Sequence, residues 1–336
     1  MFTKPEPINV VRLHPFGPEV ISAIASLFQI IFNMKQNAIS NQPHAPLSNW
    51  SFALRPVLTG AAVSTFGIVI WSVLLITIPA PWSVLPMVIF LWAYLKFFSG
   101  TWGPVKTRVI MRECFRSITL KPSVWKWGIG AAILFVVIVQ SSFVITFRLI
   151  EFPSEKFTAD YKVLDSMPLW VAWTVLVAGS IVAGICEETG FRGYMQAPLE
   201  KKYGPFAAIL ITSIIFTLIH ISHSWALPIL PHIFFASVLL GILAFKTNSI
   251  IPGIIGHSIL DVFDYSVWWS DITGGFHKQT IFRTGMDLLF IVWCLVFMLA
   301  LFVFFRIIRR LKQPGDQGKT EIGRLSGNSI NQPHAN

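Results

Sequence analysis

The stretch LWVAWTVLVAGSIVAGICEETGFRG, residues 169–193, joins an apolar run from Trp170 to Cys186 directly to Glu187, Glu188 and Arg192, with no helix breaker between them. A span of about 20 apolar residues carries an α-helix across the roughly 30 Å hydrocarbon core of a bilayer. Working outward, comparable apolar runs recur near 59–80, 83–99, 127–147, 168–190, 205–222, 230–246, 250–268 and 284–306. The chain of 336 residues is 54% hydrophobic and only 12% charged, about half the charge of a soluble domain. The expected fold is therefore all-α, a polytopic membrane helical bundle of about eight transmembrane helices.

A net charge of +10 would suit nucleic acid, but the Lys and Arg residues cluster in connections between apolar runs, where topology accounts for them. No nucleic-acid partner is expected; membrane lipid is. The connection from Trp102 to Lys126 holds Lys106, Arg108, Arg112, Arg116, Lys121 and Lys126 against one acid, whereas the next mixes Glu151, Glu155, Asp160 and Asp165 with three bases. The first is placed in the cytoplasm. Alternation then puts Lys201, Lys202, Lys246, Arg306, Arg309, Arg310, Lys312 and both termini on the same side. The N-terminus lacks the pattern of a cleavable signal, so the first span is expected to direct insertion and the mature chain to be the whole chain. A prokaryotic plasma membrane is expected, or endoplasmic reticulum in a eukaryote. Residues Val20 to Met34 suit an amphipathic helix on the membrane surface. Asn41–Ala45 recurs at Asn331–Ala335 without a surrounding repeat. Cys114, Cys186 and Cys294 lack disulfide or metal spacing. Trp82, Trp125, Trp127, Trp268 and Trp269 read as interfacial anchors.

Ionisable groups in hydrocarbon cost roughly 2.5 kcal/mol or more, so those that occur are paired, solvated or functional. Glu188 and Arg192 are i,i+4 neighbours and can pair, leaving Glu187, about 100° around the helix, free. His220 ends the run from Ala207 to Ile219, one turn after Phe216. His257 and Asp261 are again i,i+4, so the carboxylate can set the tautomer of the ring. A helix from Glu187 to Lys202 descends roughly 22 Å and its return from Pro205 climbs as far, which makes Glu187 and His220 level; His257 lies only roughly 10 Å along its own helix. The three meet if the 198–204 turn projects into the cytosol, in a cavity open to the cytoplasm. A carboxylate in a partly desolvated pocket suits general-base work on water, with imidazoles sharing the proton or stabilising an oxyanion. Equally, Glu187, His220 and His257 are a plausible ligand set for Zn²⁺. The cofactor expectation is thus none or one divalent metal. His223 and His232 read as packing residues, and Asp264 as facing the water-accessible end of its helix.

Three motifs in order now carry a resemblance. Glu187-Glu188-Thr189-Gly190-Phe191-Arg192-Gly193, Phe216-Thr217-Leu218-Ile219-His220 and His257-Ser258-Ile259-Leu260-Asp261 resemble the E-E-x-x-x-R, F-x-x-x-H and H-x-x-x-N/D motifs of the CAAX protease and bacteriocin-processing family (CPBP, or Abi), which includes Ras-converting endopeptidases. The resemblance implies an intramembrane endopeptidase acting on membrane-anchored or peptide substrates, prenylated CAAX-type ones among them. In that family Glu187 and His220 would activate water, His257 and position 261 would stabilise the oxyanion, and Arg192 would fix Glu188, with Phe216 supporting. Both metalloprotease and metal-free glutamic-protease mechanisms are attached to the family. An ionised Asp261 cannot donate to an oxyanion, so orientation of His257 is the role expected of it. The corresponding organisation is a cytoplasmic polar and amphipathic lead at 1–57, family-variable transmembrane helices at 58–167, a catalytic core at 168–268, a final transmembrane helix at 269–308 and a polar cytoplasmic tail at 309–336. Two other classes share such residues: a catalytically silent scaffold or immunity protein, and a transporter, which should show repeated halves with broken helices.

Overall fold

The computed structural model describes residues 49–102, 105, 107–116, 122–223, 227–270 and 279–311. The surface helix expected at Val20 to Met34, both copies of the pentapeptide, and the tail beyond Leu311 lie outside the described residues.

Every regular element among the described residues is helical. In chain order they are α1 (Asn49–Thr77), α2 (Val84–Phe98), α3 (Arg108–Phe115), α4 (Pro122–Leu149), α5 (Ser154–Asp165), α6 (Leu169–Glu187), a π-helical segment (Glu188–Gln196), α7 (Ala197–Ile219) with a closing 3₁₀ turn at His220–Ser222, α8 (Leu230–Thr247), α9 (Ile251–Asp264) with a π turn at Tyr265–Trp269, the short α10 (Ile281–Thr284) and α11 (Leu288–Arg310). The protein is an all-α polytopic membrane bundle. Among the described residues, five helices are long and apolar enough to span: Ala53–Thr77, Val124–Leu149, Leu169–Ser222, Leu230–Thr247 and Leu288–Arg310. Length and composition therefore qualify five, where the sequence suggested eight. The 54-residue Leu169–Ser222 run absorbs two of the expected spans. It bends between them at Gly204, whose φ of 78° and ψ of 166° suit a residue without Cβ, and Pro205 follows. The remaining two expected spans are the shorter α2 and α9.

Among the described residues, three of the four apolar clusters join the helices that frame the site. Phe135, Phe147, Leu239, Leu243, Leu260 and Phe304 join α4, α8, α9 and α11. Val63, Trp71, Leu91, Val182 and Cys186 join α1, α2 and α6. Phe191, Met195, Leu199 and Phe216 pack the π-helical segment against α7. α11 exposes Leu295, Leu299 and Phe302, as expected of a lipid-facing helix, because a bilayer solvates apolar side chains that water would drive inside.

The two ends of the bundle differ in charge. At one end Lys201 pairs with Glu113 at 2.6 Å, Arg116 binds Glu200 at 2.7 Å and Arg310 lies over the Trp127 ring at 5.4 Å; Lys246 is in the last turn of α8. At the other, Arg148 pairs with Asp287 and Arg283 with Glu151 at 3.7 Å. These are called the basic and the mixed-charge ends below. Trp268 departs from the expected interfacial role: it is 4% exposed and packs on Phe147 and Phe152 at 5.3 and 4.9 Å. An internal aromatic cluster removes it from the bilayer interface.

Candidate active site

The charged turn of residues 187–192 follows α6 without interruption, and there the backbone widens into the π-helical segment. Such a widening is frequent at functional sites because it shifts side chains out of the α-helical register. Glu188, Thr189, Arg192 and Gln196 are all fully buried. Glu188 Oε1 lies 3.0 Å from Arg192 Nη1 and accepts a hydrogen bond from His257 Nδ1, also at 3.0 Å. Arg192 donates to the Ser237 hydroxyl and carbonyl at 3.0 and 3.2 Å, and its guanidinium stands 4.6 Å over the Phe216 ring. The ion pair thus ties the π-helical segment to α7, α8 and α9.

His257 is held through Nδ1, so its Nε2 faces Glu187 Oε2 and Asp261 Oδ1, each 3.8 Å away. This changes the role expected of Asp261. Glu188, from another helix, makes the hydrogen bond that orients the ring, because it is the carboxylate within bonding distance. His220 Nδ1 donates to the Phe216 carbonyl at 2.7 Å; a carbonyl only accepts, so the neutral ring keeps its Nε2 lone pair free for other work.

Glu187, Phe216, His220, His257 and Asp261 line one cavity of about 260 Å³, which is the meeting that level spacing along the helices anticipates. Glu188 and Arg192 do not line it; they stand behind. The cavity continues from this cluster past Phe143, His232, Asp264 and Tyr265 to Phe147, Phe152 and Trp268. His232 takes a hydrogen bond with the Ser142 hydroxyl at 3.1 Å and stacks on Phe143 at 4.5 Å, so it is a packing residue that also forms wall. Asp264 accepts from Gln140 and lines the cavity. From Asp261 this lining continues toward the mixed-charge end.

Among the described residues no three His, Cys, Asp or Glu side chains come together as ligands, and a Zn²⁺ site needs donors about 2.0–2.2 Å from one point.

Three supports escaped the sequence. Arg116, placed by its charge in a solvated basic connection, is 4% exposed; its Nε donates to the Arg192 carbonyl at 3.1 Å and its Nη1 to the Ala244 carbonyl at 3.0 Å. No local signal marks it out from Arg112. Gln140 did carry a signal, a long hydrogen-bonding side chain within an apolar span, where such groups seek partners. Gly253 is a third: a Cβ there would lie 2.7 Å from Glu188 Oε2. In an ordinary helix Gly→Ala stabilises by about 1 kcal/mol, whereas overpacking costs about 1–3 kcal/mol. Gly253→Ala is therefore expected to lower the unfolding midpoint and to displace Glu188 from His257; a raised midpoint would contradict this packing.

Residues 168–263 match the family model described as Rce1-like, type II CAAX prenyl endopeptidase. No curated protein and no solved structure matches the chain. The match encloses both charged turns, at 187–192 and 257–261, so the site-bearing segment of this chain is similar to that family.

Proposed function

We propose that the chain is an intramembrane endopeptidase that hydrolyses peptide bonds of membrane-associated substrates with an activated water. The observation that carries this is a single arrangement: Glu187 and His220 border the same cavity as His257, and His257 is fixed from behind by the buried Glu188–Arg192 pair. In this mechanism the Glu187 carboxylate, with the free Nε2 of His220 beside the same space, takes a proton from water as its oxygen bonds to the scissile carbonyl carbon. His257, when doubly protonated, donates Nε2–H to the developing oxyanion. The proton held at Glu187 passes to the departing amine as the C–N bond breaks. Asp261, beside Nε2, stabilises the charged ring and does not itself donate to the oxyanion. No step is assigned to a metal.

The test is cleavage of a quenched peptide panel, prenylated and unprenylated, by purified protein in detergent, with and without a chelator. Cleavage that persists with chelator is the expected result. Abolition by chelator and recovery on adding Zn²⁺ would replace the metal-free step, and an inert wild type across the panel would favour the silent-scaffold alternative.

A further inference from the structure

We infer that α3 is an interfacial helix whose partner is anionic lipid: negatively charged headgroups of the leaflet at the basic end seat it, and through Arg116 that seating holds the π-helical segment beside the candidate site. The inference does not depend on the reaction at the site, and its test uses no substrate.

The two faces of α3 differ in character. Met111 and Cys114 are buried, whereas Val105, just before the helix, and Val109 and Ile110 within it are 79%, 66% and 60% exposed. Val105 and Val109 are i,i+4 neighbours. Arg108 and Arg112, again i,i+4, stand roughly 60–100° around the helix from Val109, so a line of apolar side chains runs beside a pair of guanidinium groups. An apolar strip with a basic flank is how a helix lies in the headgroup boundary of an anionic membrane. Glu113, the acid of this helix, does not oppose such a partner, because Lys201 binds it at 2.6 Å. The membrane level is marked independently: Trp102, shortly before α3, meets Trp92 edge to face with ring centroids 4.6 Å apart. Both rings are about half exposed, and exposed Trp gathers at the membrane–water interface. Water would leave the three apolar side chains unburied, and a zwitterionic surface offers the arginines no net charge; an anionic leaflet meets both needs.

The inner face of α3 is joined to the site. A helix of 8 residues is marginal by itself, and this one rests on the π-helical segment, where a Cβ at Gly193 would lie 3.0 Å from the Cys114 carbonyl oxygen. Arg116 closes α3 at φ 50° and ψ 42°, a left-handed conformation that a non-glycine residue keeps only where its surroundings over-determine it. What determines it is a guanidinium taken inside: Nη2 pairs with Glu200 at 2.7 Å, and Nε and Nη1 donate to the carbonyls of Arg192 and Ala244. That Arg192 carbonyl belongs to the residue whose side chain pairs with Glu188. Lipid that holds the outer face of α3 at the interface therefore holds this strap from the other side.

The experiment uses the full chain in lipid nanodiscs. In a Cys294→Ser background, where Cys114 and Cys186 are buried, Val109→Cys carries a bimane fluorophore. Its quenching is compared between phosphatidylglycerol and phosphatidylcholine, each spin-labelled near the top of the acyl chain and present at the same mole fraction. Stronger quenching by phosphatidylglycerol is expected, with the excess lost in Arg108→Gln with Arg112→Gln and kept in Arg108→Lys with Arg112→Lys. Amide hydrogen exchange across residues 188–196 of the unlabelled protein is expected to be slower in phosphatidylglycerol than in phosphatidylcholine discs. The difference reaches up to about fivefold for each arginine engaged, the worth of one basic residue at an anionic surface, and disappears in the Gln double variant. Equal quenching by the two lipids overturns the proposal. So does quenching by neither, which places α3 in water or against a protein, and so does exchange that is the same in both lipids. The two-lipid comparisons on the wild-type arginines stand even where the Gln double variant folds poorly, and a failed peptide assay leaves them untouched.

Discussion

Glu187→Ala is expected to lower peptide hydrolysis by about 10²–10⁴-fold, the usual worth of a positioned general acid or base, without a matching loss of stability. The asymmetry follows from where the side chain sits. Glu187 borders the cavity and approaches His257 no closer than 3.8 Å, so its removal breaks no hydrogen bond that holds helices together. His220→Ala should cost activity to a similar order, because it removes the Nε2 that the Phe216 carbonyl leaves free. Initial cleavage rates are measured alongside the thermal unfolding midpoint in the same detergent. Activity unchanged in both variants, with midpoints equal to wild type, would remove the reacting centre from this cavity.

Arg192→Ala should behave in the opposite manner, with the fold suffering first. Glu188 and Arg192 are both 0% exposed, and removing one partner of a buried pair typically costs about 3–5 kcal/mol because the other charge is left uncompensated. The loss includes the Ser237 hydrogen bonds and the stacking over Phe216. A lowered unfolding midpoint and poor yield are the expected readouts. Arg192→Lys keeps the charge but not the planar fork that reaches Glu188 and Ser237 together, so partial recovery is expected. The pair Glu188→Gln with Arg192→Met separates stability from catalysis: with no uncompensated charge the midpoint should rise above that of Arg192→Ala, while activity stays low because a neutral amide holds His257 less strongly than a carboxylate. Full activity in that double variant would show that the ion pair is packing alone.

Much of this site is legible in the linear chain for a local reason. Pairs at i,i+4 are neighbours on any helix, so Glu188 beside Arg192 needs only the continuity of residues 169–193, and an ionisable group inside an apolar run announces itself by its cost. Asp261 shows the limit of the same rule. Its spacing from His257 is right, yet the bonding partner of His257 is Glu188, 69 residues away in the chain, because helix packing brings that carboxylate within 3.0 Å of Nδ1 while the helix geometry leaves Asp261 3.8 Å from Nε2. Trp268 and Arg116 are misplaced from sequence for a related reason: aromatic and basic residues near span ends ordinarily face the interface, and only packing against Phe147 and Phe152, or carbonyls brought within reach by the bundle, draws them inside.

The sequence by itself determined that the chain is a membrane-embedded helical protein and which residues make up the candidate site, since hydropathy, helix period and the cost of buried charge all act within a few turns of one helix. Tertiary structure alone decided which partner each of those residues takes and toward which end the cavity runs. Those outcomes depend on contacts such as Arg116 with Ala244 and Gln140 with Asp264, 128 and 124 residues apart, and separations of that length are set by how the helices pack, not by any local pattern along them.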